Sequence, residues 1–201
     1  MGLRNGDGAV GRPVYTLSMP PDFIALDVET ANSDVASICQ IGIAIYADGR
    51  QIDEWSSLID PECHFDYWNI RIHQITADDV AQSPCFADVF ETLQQLMTNT
   101  VCVSHTHFDR SAMNRACERY ELPLIETTWL DSVRVARRTW HDIPSGSYNL
   151  KSVCNLIGYE FQHHDALEDA RAAGEIILAA SRETGLDIPG WLQRVEQPVK
   201  G

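Results

Sequence analysis

Residues 23 to 28, FIALDV, form a short apolar run that ends in acidic residues. That is the pattern of a buried strand with polar groups at its carboxyl end. Residues 38 to 47, ICQIGIAIYA, are rich in isoleucine and partly alternating, and Asp48-Gly49 follows them as a type I′ hairpin signal. The return strand covers 50 to 59, so three antiparallel strands open the domain. Residues 60 to 75 read as a loop. Thr76 and Asp79 have capping-box spacing for a short helix. Ser83-Pro84 reads as an N-cap with proline at the first helical position. Between 85 and 98 Phe86, Val89, Phe90, Leu93, Leu96 and Met97 fall on one helical face.

The second half alternates strands and helices. A buried strand is predicted over 100 to 104, a helix over 108 to 120, a short strand over 127 to 130 and helices over 131 to 139 and 149 to 156. The last long helix spans 166 to 183, with Asp165 and Glu168 placed as a capping box. Three strands followed by alternating helices and strands predict an α/β domain: a mixed five-stranded sheet, three antiparallel strands first, flanked by helices. Glycine-rich residues 1–20 read as a flexible tail, 21–183 as the domain, and 184–201 as a C-terminal tail or linker anchored by Trp191.

Composition narrows the class. Of 201 residues, 44% are hydrophobic and 22% charged, the profile of a soluble globular protein with one buried core. No apolar run approaches the roughly 18 residues that span a bilayer. The first twenty residues lack the apolar segment of a signal peptide. A cytoplasmic protein with no membrane partner is expected. Six cysteines are scattered without a CxxC pair, as small buried hydrophobes are in a reducing compartment. The net charge of −14 argues against a broad surface coating nucleic acid, because such binding rests on Lys and Arg. It leaves room for a metal site, which needs carboxylates.

Three segments carry candidate chemistry. In Asp27-Val-Glu29, residues two apart on a strand point to the same side, so two carboxylates project together. A hard divalent cation would relieve their repulsion, and two surface acids in a loop would fit the same spacing. Asp109 follows a buried strand in the first turn of a helix, where the dipole alone would favour a carboxylate. His164 precedes the last long helix and Asp169 lies a turn inside it. An imidazole there can accept a proton from water, and a solvated helix face would look the same.

Taken together, D-x-E, then FD after a strand, then H-x-A-x-x-D-A opening a late helix, resemble the DnaQ-like DEDDh 3′→5′ exonucleases. That family includes polymerase proofreading subunits and RNase T. The resemblance covers about 22 to 182. DVET continues through Thr30, His73-Gln-Ile-Thr76 is similar to the family's H-G-I-T turn, and Tyr148-Asn-Leu-Lys-Ser-Val is similar to the segment before the last motif. The resemblance implies an RNase H-like fold and two Mg²⁺ or Mn²⁺ ions. Asp27, Glu29, Asp109 and Asp169 would be the metal carboxylates, and His164 the general base. His163 is adjacent, but His164 has the five-residue spacing to Asp169. The implied reaction is hydrolysis of the terminal phosphodiester of single-stranded DNA or RNA 3′ ends, DNA favoured, releasing nucleoside 5′-monophosphates. A polymerase or other recruiting protein is the implied partner.

His105-Thr-His-Phe-Asp109 departs from the family's H-N-x-x-F-D. It also resembles the opening of the metallo-β-lactamase zinc motif, although Arg110 stands where a histidine is needed. A zinc hydrolase and a non-catalytic binding module on the same fold are the alternative readings. For substrate contacts the candidates are Thr30, His73, Tyr67 and Phe108. Trp68 and Tyr148 are further aromatic groups on which a base could stack.

Overall fold

The protein is described by a computed structural model over residues 19–143 and 146–197. The tail predicted over 1–20 lies almost wholly outside the described residues. Five strands make one mixed sheet: β1 (Phe23–Thr30), β2 (Ile38–Ala47), β3 (Arg50–Leu58), β4 (Val101–Ser104) and β5 (Thr128–Asp131), in the order β3-β2-β1-β4-β5. The β1–β2 and β2–β3 pairs are antiparallel, and β4 runs parallel to β1 and β5. At the hairpin, Asp48 and Gly49 both take positive φ, 52° and 71°, as the type I′ signal requires.

Strand alternation sorts the core into two layers. Ile24, Leu26 and Val28 of β1, with Ile41, Ile43 and Ile45 of β2, pack against helices α3 (Phe86–Met97) and α4 (Phe108–Arg119). Phe23 and Ala25, with Ala44 and Tyr46, face the other layer, built from α5 (Ser132–Thr139), α6 (Leu150–Ile157), α7 (Ala166–Thr184) and α8 (Ile188–Glu196). Asp27 and Glu29 continue the Phe23–Ala25 series and so project towards α7.

The α7 side of the sheet is made of small residues for a reason. Ala25 and Ala44 share a core cluster with Ala172 and Ala173, so the helix lies close to the strands. Gly42 pairs with Asp27 across β1–β2. A Cβ at Gly42 would stand 2.3 Å from the carbonyl carbon of Ala166 and 2.3 Å from the amide nitrogen of Leu167. At Gly174 a Cβ would stand 2.3 Å from the Tyr46 ring. Gly42 therefore lets the first turn of α7 dock on the sheet beside Asp27, and Gly174 lets the third turn lie against Tyr46.

Three local expectations change. Residues 60 to 75 are not all loop: Tyr67–His73 form α1, closed by Gln74 at φ 64°. A one-turn α2 (Ala77–Val80) follows, with the Asp79 carboxylate accepting from the Thr76 amide at 2.8 Å. The cap of α3 is Cys85, not Ser83, because Asp88 accepts from the Cys85 amide at 2.9 Å. The tail or linker predicted over 184–201 is helical from Ile188 to Glu196. Trp191 is 1% exposed and donates to Ser181 at 3.0 Å, so this segment packs on the domain core.

Gly42→Ala should destabilise the fold by about 1–3 kcal/mol, the usual cost of overpacking. Chemical denaturation would measure it. Trp191→Ala should cost about 3–5 kcal/mol, the scale for a fully buried tryptophan. An unchanged midpoint in that variant would contradict the docking of α8.

Candidate active site

Four carboxylates converge at the carboxyl end of β1. Asp27 and Glu29 come from the strand itself, half-buried beside α7. Asp169 sits in the first turn of α7 and Asp109 in the first turn of α4, and they are 4% and 3% exposed. The sheet makes room for Asp109. β4 pairs with β1 only at Ile24 and Ala25 and then diverges. The Val28 amide left by the divergence donates to Asp109 Oδ1 at 3.2 Å. This is the place where the strand order reverses direction around β1, a common position for sites in open sheets.

The oxygens of Asp27, Glu29 and Asp169 lie within 4.8 Å of one another. Among the described residues, no Lys or Arg forms an ion pair with any of the four acids. Burial, and after it the charges of Asp109, Asp169, Glu29 and Asp165, hold the Asp27 carboxyl well above its ordinary range. Glu29 is pushed up to about 8 by burial and by Asp169. Asp109 is pushed up to about 7, chiefly by burial, although backbone donors pull it down. Burial also raises Asp169, against the opposing pull of His163. Four acids in this state suit a divalent cation: all-oxygen donors, no competing side-chain cation, and repulsion that an ion would remove.

The histidines lie differently from a reading by spacing alone. His163 Nδ1 donates to both oxygens of Asp169, at 2.8 and 2.9 Å. His164 has φ 71°, sends its amide to Asp169 at 3.3 Å and stacks its ring on His163 with centroids 3.9 Å apart. Burial, with His163 beside it, lowers the His164 pKa, which favours a neutral imidazole able to accept a proton.

Three residues at the site were absent from the sequence-derived set. His163 is one. Asp165 is the N-cap of α7, accepting from Leu167 and Glu168, and its charge reaches Asp27 and Glu29. Gln40, opposite Glu29, ties that helix start down: its Nε2 donates to Asp165 at 3.3 Å and its Oε1 accepts from the Ala166 amide at 3.1 Å. Only the cap was readable as a capping position.

The predicted substrate contacts divide. Tyr67 and Phe108 are exposed, at 62% and 40%. Thr30 and His73 are buried, and both are tied into the backbone of the wall. The Thr30 carbonyl accepts from Asn69 at 2.7 Å, and His73 Nε2 lies 3.2 Å from the same oxygen. His73 Nδ1 accepts from the Ile75 amide at 3.0 Å, so both ring nitrogens are occupied by backbone. Together Asn69 and His73 fasten α1 one residue beyond Glu29. The zinc-motif histidines do not gather around Asp109. His105 is held between Ser132 Oγ at 2.8 Å and the Tyr148 carbonyl at 2.9 Å, and burial pushes its pKa down to about 4. His107 caps α4. Among the described residues no helix is long and apolar enough to cross a membrane.

Comparison with known proteins points to one fold and one family. A PolC-type DNA polymerase III from Lacticaseibacillus paracasei is 26% identical over 182 residues, 86% of this chain. The match covers 12% of that polymerase, so the chain spans about an eighth of its length. Exonuclease X, solved in complex with 5′ overhanging duplex DNA, superposes with a TM-score of 0.67 at 22% identity, covering 86% of this chain and 99% of that one. The nuclease domain of 3′hExo, a DEDDh family member bound to rAMP, gives 0.66 at 17% identity over 82% and 94%. The sheet and its flanking helices are thus RNase H-like. The sequence model of the exonuclease family, of RNase T type, matches residues 24–177. With that span matched and the four acids brought together, the chain belongs to the exonuclease family, in its DnaQ-like DEDDh branch.

Proposed function

We propose that the protein is a metal-dependent 3′→5′ exonuclease that hydrolyses the terminal phosphodiester of single-stranded ends, DNA in preference to RNA, and releases nucleoside 5′-monophosphates. The convergence of Asp27, Glu29, Asp109 and Asp169 without a Lys or Arg partner carries this reading. Asp27, Glu29 and Asp169 would hold one divalent ion, Mg²⁺ or Mn²⁺, and Asp27 with Asp109 a second. When bound, such a pair neutralises the cluster and stabilises charge on the attacking and leaving oxygens.

The chain's own groups supply the rest. His164, held neutral, takes the proton of the attacking water. Asp169 keeps the base near the scissile bond through its contact with the His164 amide. Phe108 and Tyr67 offer exposed rings at the rim for the terminal bases. Thr30 and His73 keep the rim in place. The preference for DNA leans on the PolC-type polymerase and on the DNA bound to Exonuclease X. The same polymerase match supports a partner that presents the end.

A labelling experiment tests the polarity and the substrate. With Mg²⁺ or Mn²⁺, 5′-labelled single-stranded DNA should shorten one nucleotide at a time, while 3′-labelled DNA should release its label at once. Chelator should stop both, and RNA should be cut more slowly. Degradation from the 5′ end would overturn the assignment. Asp27→Ala should abolish turnover while the fold survives. His164→Ala should lower kcat by roughly 10²–10⁴-fold, the scale for a lost general base.

The acids also set a pH dependence. Each has a folded-state pKa above its ordinary value, so the ion-free folded chain binds protons more readily than the unfolded chain. That stabilisation is complete at low pH and is lost as pH rises towards about 8, the value at Glu29. The lowered histidines act in the opposite sense, but only below their ordinary pKa of 6.5. In chelator, Tm should therefore fall between pH 6.5 and about 8. Added Mg²⁺ or Mn²⁺ should raise Tm more at the upper end of that window. Asp27→Asn should flatten both responses, and a Tm in chelator that is level across the window in the unmodified protein would count against the buried acid cluster.

A further inference from the structure

We infer that His163, His164 and Asp169 form a second metal site, suited to a borderline transition ion such as Zn²⁺, and that an ion held there switches the nuclease off. The inhibitory half of this rests on the proposed roles of Asp169 and His164. The binding half does not.

The site follows from the backbone. Consecutive side chains on an extended segment point to opposite sides. The left-handed turn at His164, φ 71°, breaks that alternation and brings the two rings onto one side. They lie 18° from parallel, with centroids 3.9 Å apart. One ligand atom from each ring and one from Asp169 lie within 4.8 Å of one another. His163 is steadied from outside by the edge of Phe161, at 5.5 Å. His163 Nδ1 already points at both Asp169 oxygens, so ring and carboxylate need little rearrangement to share an ion.

The donor set determines which ion it takes. Two imidazole nitrogens and one carboxylate, with a fourth position open to solvent, match the three protein ligands and one water common for Zn²⁺. Mg²⁺ prefers the all-oxygen set of Asp27, Glu29 and Asp169. The two sets share Asp169. An ion on the histidine side draws that carboxylate away from the oxygen set. It also takes the ring nitrogen of His164 that would accept the proton of water. The histidines are open to solvent, which gives the ion a path in.

The test separates binding from catalysis. Calorimetry with Zn²⁺, and visible absorption with Co²⁺ as its spectroscopic substitute, would compare Asp27→Ala with Asp27→Ala/His163→Ala. The Asp27→Ala change disables the oxygen set and leaves the histidine set whole. Asp27→Ala should bind Zn²⁺ and show the Co²⁺ bands. Adding His163→Ala should weaken Zn²⁺ by at least roughly 10-fold, since loss even of an outer partner costs that much. His163→Gln in the same background should do likewise, with Tm confirming that both variants fold. Equal Zn²⁺ affinity in the presence and absence of His163 would overturn the site. In the otherwise unmodified enzyme with Mg²⁺, the Zn²⁺ concentration that halves the rate should rise by a similar factor on His163→Ala, and an unchanged value would overturn the inhibition. A protein that binds Zn²⁺ through His163 but cleaves no nucleic acid would sink the exonuclease reading and leave the site standing.

Discussion

Mutual repulsion among four carboxylates is the constraint on which the structure turns. Asp27, Glu29, Asp109 and Asp169 stand together at the end of the central strand. Burial pushes each of them towards its protonated form, and for Asp27, Glu29 and Asp109 the neighbouring acids add to it. In its ionised form such a cluster works against the fold. It persists because three separate devices hold its members. The strand period aims Asp27 and Glu29 to one side. The Val28 amide anchors Asp109. The close seat of α7 on Gly42 delivers Asp169. Each device lies in the backbone, so neutralising the charges need not displace the groups.

The seam between α7 and the sheet shows how far that requirement reaches. Small side chains on both sides give up the apolar area that Leu or Ile would bury there, and the core recovers it elsewhere. The isoleucines of β1 and β2 fill the opposite layer, and Trp191 closes the far end of the α7 layer. Gln40 then fixes the angle of the helix start through two hydrogen bonds, one to the capping carboxylate and one to a backbone amide. Packing sets the distance of Asp169 from the strand, and this polar clamp sets its direction.

Much of this was readable from the sequence because it depends on short-range periodicity. Strand alternation predicted that Asp27 and Glu29 share a face, and the β2–β3 hairpin followed from Asp48-Gly49. The order of the three acidic segments, read through the family resemblance, singled out the four carboxylates that the fold brings together. What escaped depends on contacts distant in sequence or on single backbone angles. The seven-residue α1 follows Asp66, which makes no side-chain cap bond, and is held by Asn69 and His73 on Thr30. Cysteine is an unusual cap, so Ser83 looked the better start for α3. The α8 segment carries a usable signal in Asp187 followed by Ile188-Pro189, but glycine and short length hide a helix that only the burial of Trp191 explains. The role of His163 turns on one torsion, that of His164, which no spacing rule reports.

The acidity of the chain bears on how an end could be held. Among the described cations, Arg171 is engaged by Glu54 and Glu168, and Arg115 by Glu118. Arg134 and Arg138 donate to the carbonyl of Val195 at the end of α8. These four arginines are thus engaged by internal contacts, while Arg71 lies over the exposed Tyr67 ring and donates to its hydroxyl at 3.1 Å. On the proposed reading, attraction for a phosphate comes chiefly from the ions in the carboxylate cluster, and grip on the bases from exposed rings such as Phe108 and Tyr67. Such a footprint covers only the last few nucleotides. Few counterions are then released on binding, so affinity should respond weakly to salt. On that reading the chain would cleave an end delivered to it far better than it would find one. That is the division of labour expected where a partner supplies the grip on nucleic acid and this domain supplies the acids.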